Sequence, residues 1–179
     1  RAHVFSYLKT GDHVSIDPEH ESFKVRPGLS SFKETPEQAG QSLEPLLDFM
    51  REQIPEAERP SAPVYLKATA GLRMFDASAI LTSVKETLAA SGFKFDEHKG
   101  AVVIPGSEEG GYGWISANYL LGTLTQPFGV IEMGGASAQV TQVHRAVLRG
   151  SALPAQSRFS FGLEGKNYDL YAHSYLGYG

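Results

Sequence analysis

Apolar residues recur along the chain in two rhythms, and their alternation sets an order of elements. Strand-like runs come first: Ala2–Leu8, with Val4 and Phe5 ahead of a Thr10-Gly11-Asp12 turn, then Phe23–Val25, closed by Pro27-Gly28. A helical rhythm follows in Ala39, Leu43, Leu46, Leu47, Met50 and Ile54, which share one face. Thr35, Pro36 and Gln38 predict its start as cap, first helical residue and capping-box partner. Pro45, inside the run, predicts a kink or two abutting helices. The stretch 55–63 holds three prolines and reads as a loop. Val64–Ala68 predicts a buried strand, and Asp76 caps a helix through Ile80, Leu81, Val84 and Leu88 that Gly92 stops. Ala101–Ile104 is a third apolar strand, followed by Glu108–Gly111 as a loop. A helix then carries Trp114, Ala117, Asn118 and Leu121 on one face as far as Gly122. Val130, Ile131 and Met133 form a strand that enters a Gly134-Gly135-Ala136-Ser137 turn, and Ala138 and Val140 lead away from it. Lastly, Phe159, Phe161 and Leu163 alternate, as do Tyr168, Leu170 and Ala172, with Glu164–Asn167 as a hairpin between them.

Strands alternating with helices, followed by a hairpin, predict an α/β fold with a mostly parallel sheet and right-handed crossovers. In such sheets ligands sit outside the carboxyl ends of the strands. Three small-residue loops leave strands there, Thr69–Gly71, Gly106–Gly111 and Glu132–Ser137, and are expected to gather on one rim.

Bulk composition narrows the class. The 179 residues suit one domain with a sizeable core; 41% are apolar and 20% charged, as in globular proteins. The net charge of −4 and the lack of a dense Lys/Arg run argue against a nucleic-acid surface. With no cysteine, disulfides and thiolate metal sites are excluded within the chain. No run reaches the ~20 apolar residues of a membrane helix. Neither a signal peptide nor an Asn-x-Ser/Thr acceptor is present, and the start at Arg1 leads us to expect a piece of a longer chain.

The candidate chemistry is carboxylate, hydroxyl and amide. Successive N–H groups of a Gly-Gly-Ala-Ser turn can face one anion, usually phosphate; a plain hairpin turn is the alternative. Glu132 beside it can hold a divalent cation, directly or through water. Either Glu108 or Glu109 can serve as a general base, or both are solvated loop acids. Ser137 and Gln139 share a strand face, where they hold a water by two hydrogen bonds or simply meet solvent. Thr69 reaches a phosphate or a metal-bound water, or caps its turn, the cap being favoured. Trp114 and Tyr119 read as core. None of His3, His13, His20, His98, His144 and His173 has the i,i+4 partner of a helical zinc pair, and all read as structural or surface residues.

Taken together, LKATAGLRM (Leu66–Met74), GSEEGGYGWISANYLLG (Gly106–Gly122) and GVIEMGGASAQVT (Gly129–Thr141) resemble the second, third and fourth signature regions of the apyrase family. These are the nucleoside triphosphate diphosphohydrolases, which share the fold of actin, sugar kinases and heat-shock ATPases. RAHVFSY is similar to the strand after that family's first phosphate loop, and YAHSYLGYG to the handover between its lobes. The resemblance implies an actin-like (ribonuclease H-like) mixed sheet with helices on both faces, residues 1–179 being a single N-terminal lobe without the first phosphate loop or the second lobe. It implies hydrolysis of terminal phosphates of nucleoside tri- or diphosphates, with ATP, ADP, GDP and UDP as the substrate class. Glu109 then matches the catalytic base, Ser137 and Gln139 the residues that position the attacking water, and Gly134, Gly135, Ala136 and Ser137 the phosphate loop. Glu132 stands where the family usually has Asp, and with Thr69 it would hold Mg²⁺ or Ca²⁺ through water; the longer side chain implies altered metal preference, not inactivity. The same resemblance implies a second lobe as partner, leaves oligomerisation open and favours a secretory or extracellular location. The alternatives are an exopolyphosphatase-like enzyme and a non-catalytic nucleotide-binding module. The segment alone is expected to be inactive.

Overall fold

A computed structural model describes residues 1–11, 13–17, 19–143, 154–163 and 165–179. Asp12, His144 and Glu164 therefore lie outside the described residues. The chain forms two compact units, Arg1–Val103 and Ile104–Gly179.

In the N-terminal unit, the expected single strand over Ala2–Leu8 is two, β1 (Ala2–Val4) and β2 (Tyr7–Thr10). β2 turns at Gly11, whose φ of 63° suits glycine, into β3 (His13–Ile16), and β4 (Glu21–Phe23) pairs antiparallel with β1. The helical rhythm after Thr35 breaks into 3-10 turns at Pro36–Gln38 and Gln41–Leu43 before α1 (Glu44–Gln53). Thr35 makes no side-chain cap. The segment is instead held by Ser83, whose Oγ accepts from Gly40 N (2.9 Å) and donates to the Glu37 carbonyl (3.0 Å). Pro45 falls in the first turn of α1, where its missing donor costs nothing.

Val64–Ala68 also divides at exposed Tyr65, into β5 (Pro63–Val64) and β6 (Leu66–Ala68). A short α2 (Ala70–Arg73) follows, then α3 (Ser78–Ala89), whose start is tied by Asp76 Oδ1 accepting from Ser78 N at 3.0 Å. α3 buries Ile80, Val84 and Leu88 against Leu47 and Ala101 in one core. β7 (Lys94–Phe95) and β8 (Ala101–Val103) pair in parallel with β5 and β6. These are the only parallel pairs among the described residues, so in place of the expected mostly parallel sheet the strands form two short parallel pairs and three antiparallel sheets.

The C-terminal unit is one helix on an antiparallel sheet. α4 (Gly106–Leu120) packs on a four-stranded sheet built from β9 (Val130–Met133), β10 (Ser137–Val143), β11 (Arg158–Leu163) and β12 (Lys166–Leu176). The strand order is β11-β12-β10-β9, so β9 is an edge. Trp114 is wholly buried on the inner face of α4, its ring 6.1 Å from Phe161 and 5.7 Å from Tyr168 between centroids. Glu108–Gly111, expected as a loop, are the first turns of this helix. Two acids in the first turn complement the helix dipole, and the glycines serve packing rather than flexibility. A Cβ on Gly110 would fall 2.5 Å from Thr141 Oγ1, and one on Gly111 would collide with the Phe159 ring. These two absent methyls let the helix lie close on the sheet.

Candidate active site

Close packing of α4 brings its first turn over the middle of β10. There Ser137 and Gln139 point to the helix side and are 2% and 1% exposed, so ordinary solvent-facing strand polarity is ruled out. The Gln139 carboxamide is the hub. Its Nε2 lies 3.0 Å from Glu109 Oε2, 2.6 Å from Ser137 Oγ and 2.9 Å from Ser174 Oγ on β12. Its Oε1 is buried and has no hydrogen-bond partner among the described residues. A buried acceptor left without a protein donor is a place for an ordered water or a ligand.

The two acids of the EEGG run part ways here. Glu109 turns to Gln139, whereas Glu108 lies by the Tyr112 hydroxyl one turn on, where its charge adds to burial in raising the phenol pKa. Glu132 stands opposite Gln139 in the β9–β10 register and so shares its face. A Cβ on Gly113 would come within 3.0 Å of Glu132 Oε2, so this third helix glycine clears space for the carboxylate. Burial, and then the charge of Glu109, raise the Glu132 pKa above its ordinary value. A half-buried carboxylate set near a second one suits a cation between or beside them. Among the described residues no group of three or more His, Cys, Asp and Glu forms a direct metal cage.

The Gly134–Ser137 turn closes the β9–β10 hairpin, with Gly134 N donating to the Ser137 carbonyl at 2.9 Å. Among the described residues no main-chain carbonyl accepts from Gly135 N or Ala136 N, and a Cβ on Gly135 would meet nothing within 4 Å. The chain end crosses this turn: Gly177 N donates to the Ala136 carbonyl at 2.8 Å, and Gly179 lies against Ala136 N and Ser137 N so tightly that no Cβ fits there.

Thr69 belongs to the N-terminal unit. It takes the N-cap position of α2, but with its carbonyl, which accepts from Leu72 N at 3.0 Å; the hydroxyl makes no cap bond. Trp114 is core as expected. His3 and His20 pair at 3.0 Å on the surface, and His173 meets Ser157 at 2.9 Å. Ser174 and the helix glycines are the members that sequence reasoning missed. The available signal was a hydroxyl at an alternating position of an otherwise apolar strand row.

The family model of the GDA1/CD39 (nucleoside phosphatase) family matches residues 1–179, the entire chain. The chain belongs to the GDA1/CD39 family. Along its whole length it is 40% identical to a guanosine-diphosphatase of Schizosaccharomyces pombe, covering 34% of that protein. It is 35% identical to ectonucleoside triphosphate diphosphohydrolase 5 of Gallus gallus and 38% to a nucleoside-triphosphatase of Pisum sativum, again over all of this chain, covering 44% and 42% of those proteins. The chain thus spans less than half the length of these relatives. Membership in the GDA1/CD39 family carries the expected fold class, an actin-like mixed α/β lobe, and agrees with the mixture of helices with parallel and antiparallel strand pairs found here.

Proposed function

We propose that the protein contributes the water-activating half of a site that hydrolyses the terminal phosphate of nucleoside tri- or diphosphates. The observation that carries this is the buried Gln139 carboxamide, which ties Glu109 to Ser137 beside a turn with two amide donors to spare. Ser137 and Gln139 hold a water within reach of Glu109. The water attacks the terminal phosphorus, the bond from phosphorus to the bridging oxygen breaks, and Glu109 takes the water's proton. The amides of Gly134, Gly135, Ala136 and Ser137 make up the phosphate loop, with Gly135 and Ala136 holding the donors not used within the fold. Glu132 holds Mg²⁺ or Ca²⁺ through its water shell. When bound, the cation neutralises phosphate charge, which together with positioning is most of what phosphoryl transfer requires. A second lobe of the kind the relatives' extra length provides closes over the nucleotide and supplies the base pocket. The names of the relatives support a nucleotide substrate and a secretory or extracellular setting.

Glu109→Gln tests this reading in a chain that carries these residues together with the second lobe. Phosphate release from a panel of ATP, ADP, GDP and UDP should fall by about 10²–10⁴-fold, the contribution of a positioned base, with nucleotide binding retained. Unchanged turnover would remove Glu109 from the reaction and leave a nucleotide-binding module.

A further inference from the structure

We propose that Ser174 is a positioning residue of this site: from β12 it fixes the plane of the Gln139 carboxamide and so the water that Gln139 holds. This rests on the hydrolytic reading above and extends it to a strand that reading does not use.

The antiparallel register sets Ser174 directly opposite Gln139, so the two side chains leave the sheet on the same face. That row of β12 is otherwise packing: Leu170 and Ala172 are fully buried on it, and Ser174 follows as the hydroxyl that reaches the amide. An amide nitrogen carries two hydrogens, yet three acceptors surround Gln139 Nε2. Glu109, when ionised, can only accept. Each serine can accept or donate. Turning the carboxamide over would set Oε1 against the Glu109 carboxylate, two acceptors with no hydrogen between them, so ionised Glu109 selects the observed orientation. Once Glu109 has taken a proton that objection disappears. The serine hydroxyls then become donors to Oε1 without moving. Ser137 and Ser174 flank the amide from β10 and β12 and hold its plane in either state. Ser137 also borders the Gly134–Ser137 turn, whereas among the described residues Ser174 reaches the site through its bond to Gln139.

The test compares Ser174→Ala and Ser174→Thr in the chain that also carries the second lobe, with Glu109→Gln alongside. Ser174→Ala should lower kcat about tenfold, the value of one lost hydrogen bond of ~1.4 kcal/mol, with KM for nucleotide within about twofold because no ligand contact is removed. Ser174→Thr keeps the hydroxyl and should recover most of the turnover. In the 179-residue chain, the slowly exchanging Gln139 side-chain amide proton signals should shift and exchange faster in Ser174→Ala and stay in place in Ser174→Thr. Unchanged kcat in Ser174→Ala would overturn the proposal, and so would a loss that threonine does not restore. If Glu109→Gln lowers turnover as expected while Ser174→Ala leaves kcat unchanged, only this inference fails; if Glu109→Gln turns over normally, the hydrolytic reading fails first.

Discussion

Glu132 is a carboxylate whose charge the fold disfavours. It leaves an edge strand toward α4, loses water there and faces the charge of Glu109, so its carboxyl pKa rises above 4.5. The folded state then binds this proton more tightly than the unfolded chain does. Stability is therefore highest below the ordinary carboxyl range, falls as pH rises through 4.5 toward the raised value, and stays lower beyond it. Glu132→Gln keeps the shape and removes the charge. It should raise Tm at pH 7, with the gain vanishing near pH 4, as thermal melts across that range will read. A divalent cation should likewise raise the Tm of the unmodified chain at pH 7 and do less for the Gln variant. Equal melting points at pH 7 would mean that the carboxylate is already paid for by its surroundings.

The element that builds the site is α4, and its glycines divide by what approaches them. Gly111 faces the Phe159 ring, which is wedged between Tyr112 and Phe161 at centroid distances of 5.5 and 5.6 Å. Gly111→Ala gains about 1 kcal/mol of helix propensity but overpacks a closed contact by about 1–3 kcal/mol. A net loss of about 1 kcal/mol should appear in denaturant melts, with Gln139 displaced from Glu109. Gly135, in the turn proposed to bind phosphate, is the control in the opposite sense. A Cβ there meets nothing, so Gly135→Ala should hold stability within about 0.5 kcal/mol while impairing hydrolysis, because the methyl stands where phosphate must come close. Loss of stability without loss of activity would reverse the assignment. The same contrast explains what could be read in advance. α3 was legible because its own periodicity, its Asp76 start and its Gly92 stop all lie within the segment. The β9–β10 turn and the pairing of Ser137 with Gln139 were legible for the same reason. EEGG was not, since its glycines answer to Thr141 and Phe159, which are distant in sequence, and a glycine cluster without that knowledge reads as a loop. Ser174 was invisible because only strand register sets it beside Gln139.

At the scale of the whole molecule, charge argues that these 179 residues hold half a site. On the proposed reading, Glu109, Glu132, Ser137, Gln139 and Ser174 bring two carboxylates and no positive charge to a nucleotide that is itself an anion. The turn amides and a hydrated cation offset part of this, and Gly179 lies across two of the amides. The outward residues of β9 are also bare, with Ile131 73% and Met133 78% exposed on an edge strand, an apolar surface of the kind that another part of a protein covers. The relatives have more than half of their length beyond the matched region. From this we predict that the purified 179-residue chain releases no phosphate from ATP, ADP, GDP or UDP with either Mg²⁺ or Ca²⁺. It should bind these nucleotides no more tightly than about 1 mM, equivalent to roughly −4 kcal/mol. A second-lobe polypeptide added in trans, or joined in one chain, should bring turnover back and protect β9 from exchange. Metal-dependent phosphate release by the isolated chain that Glu109→Gln abolishes would instead place a complete site within these residues. The Gly134–Ser137 turn would then have to give up its contact with Gly179 to the incoming phosphate.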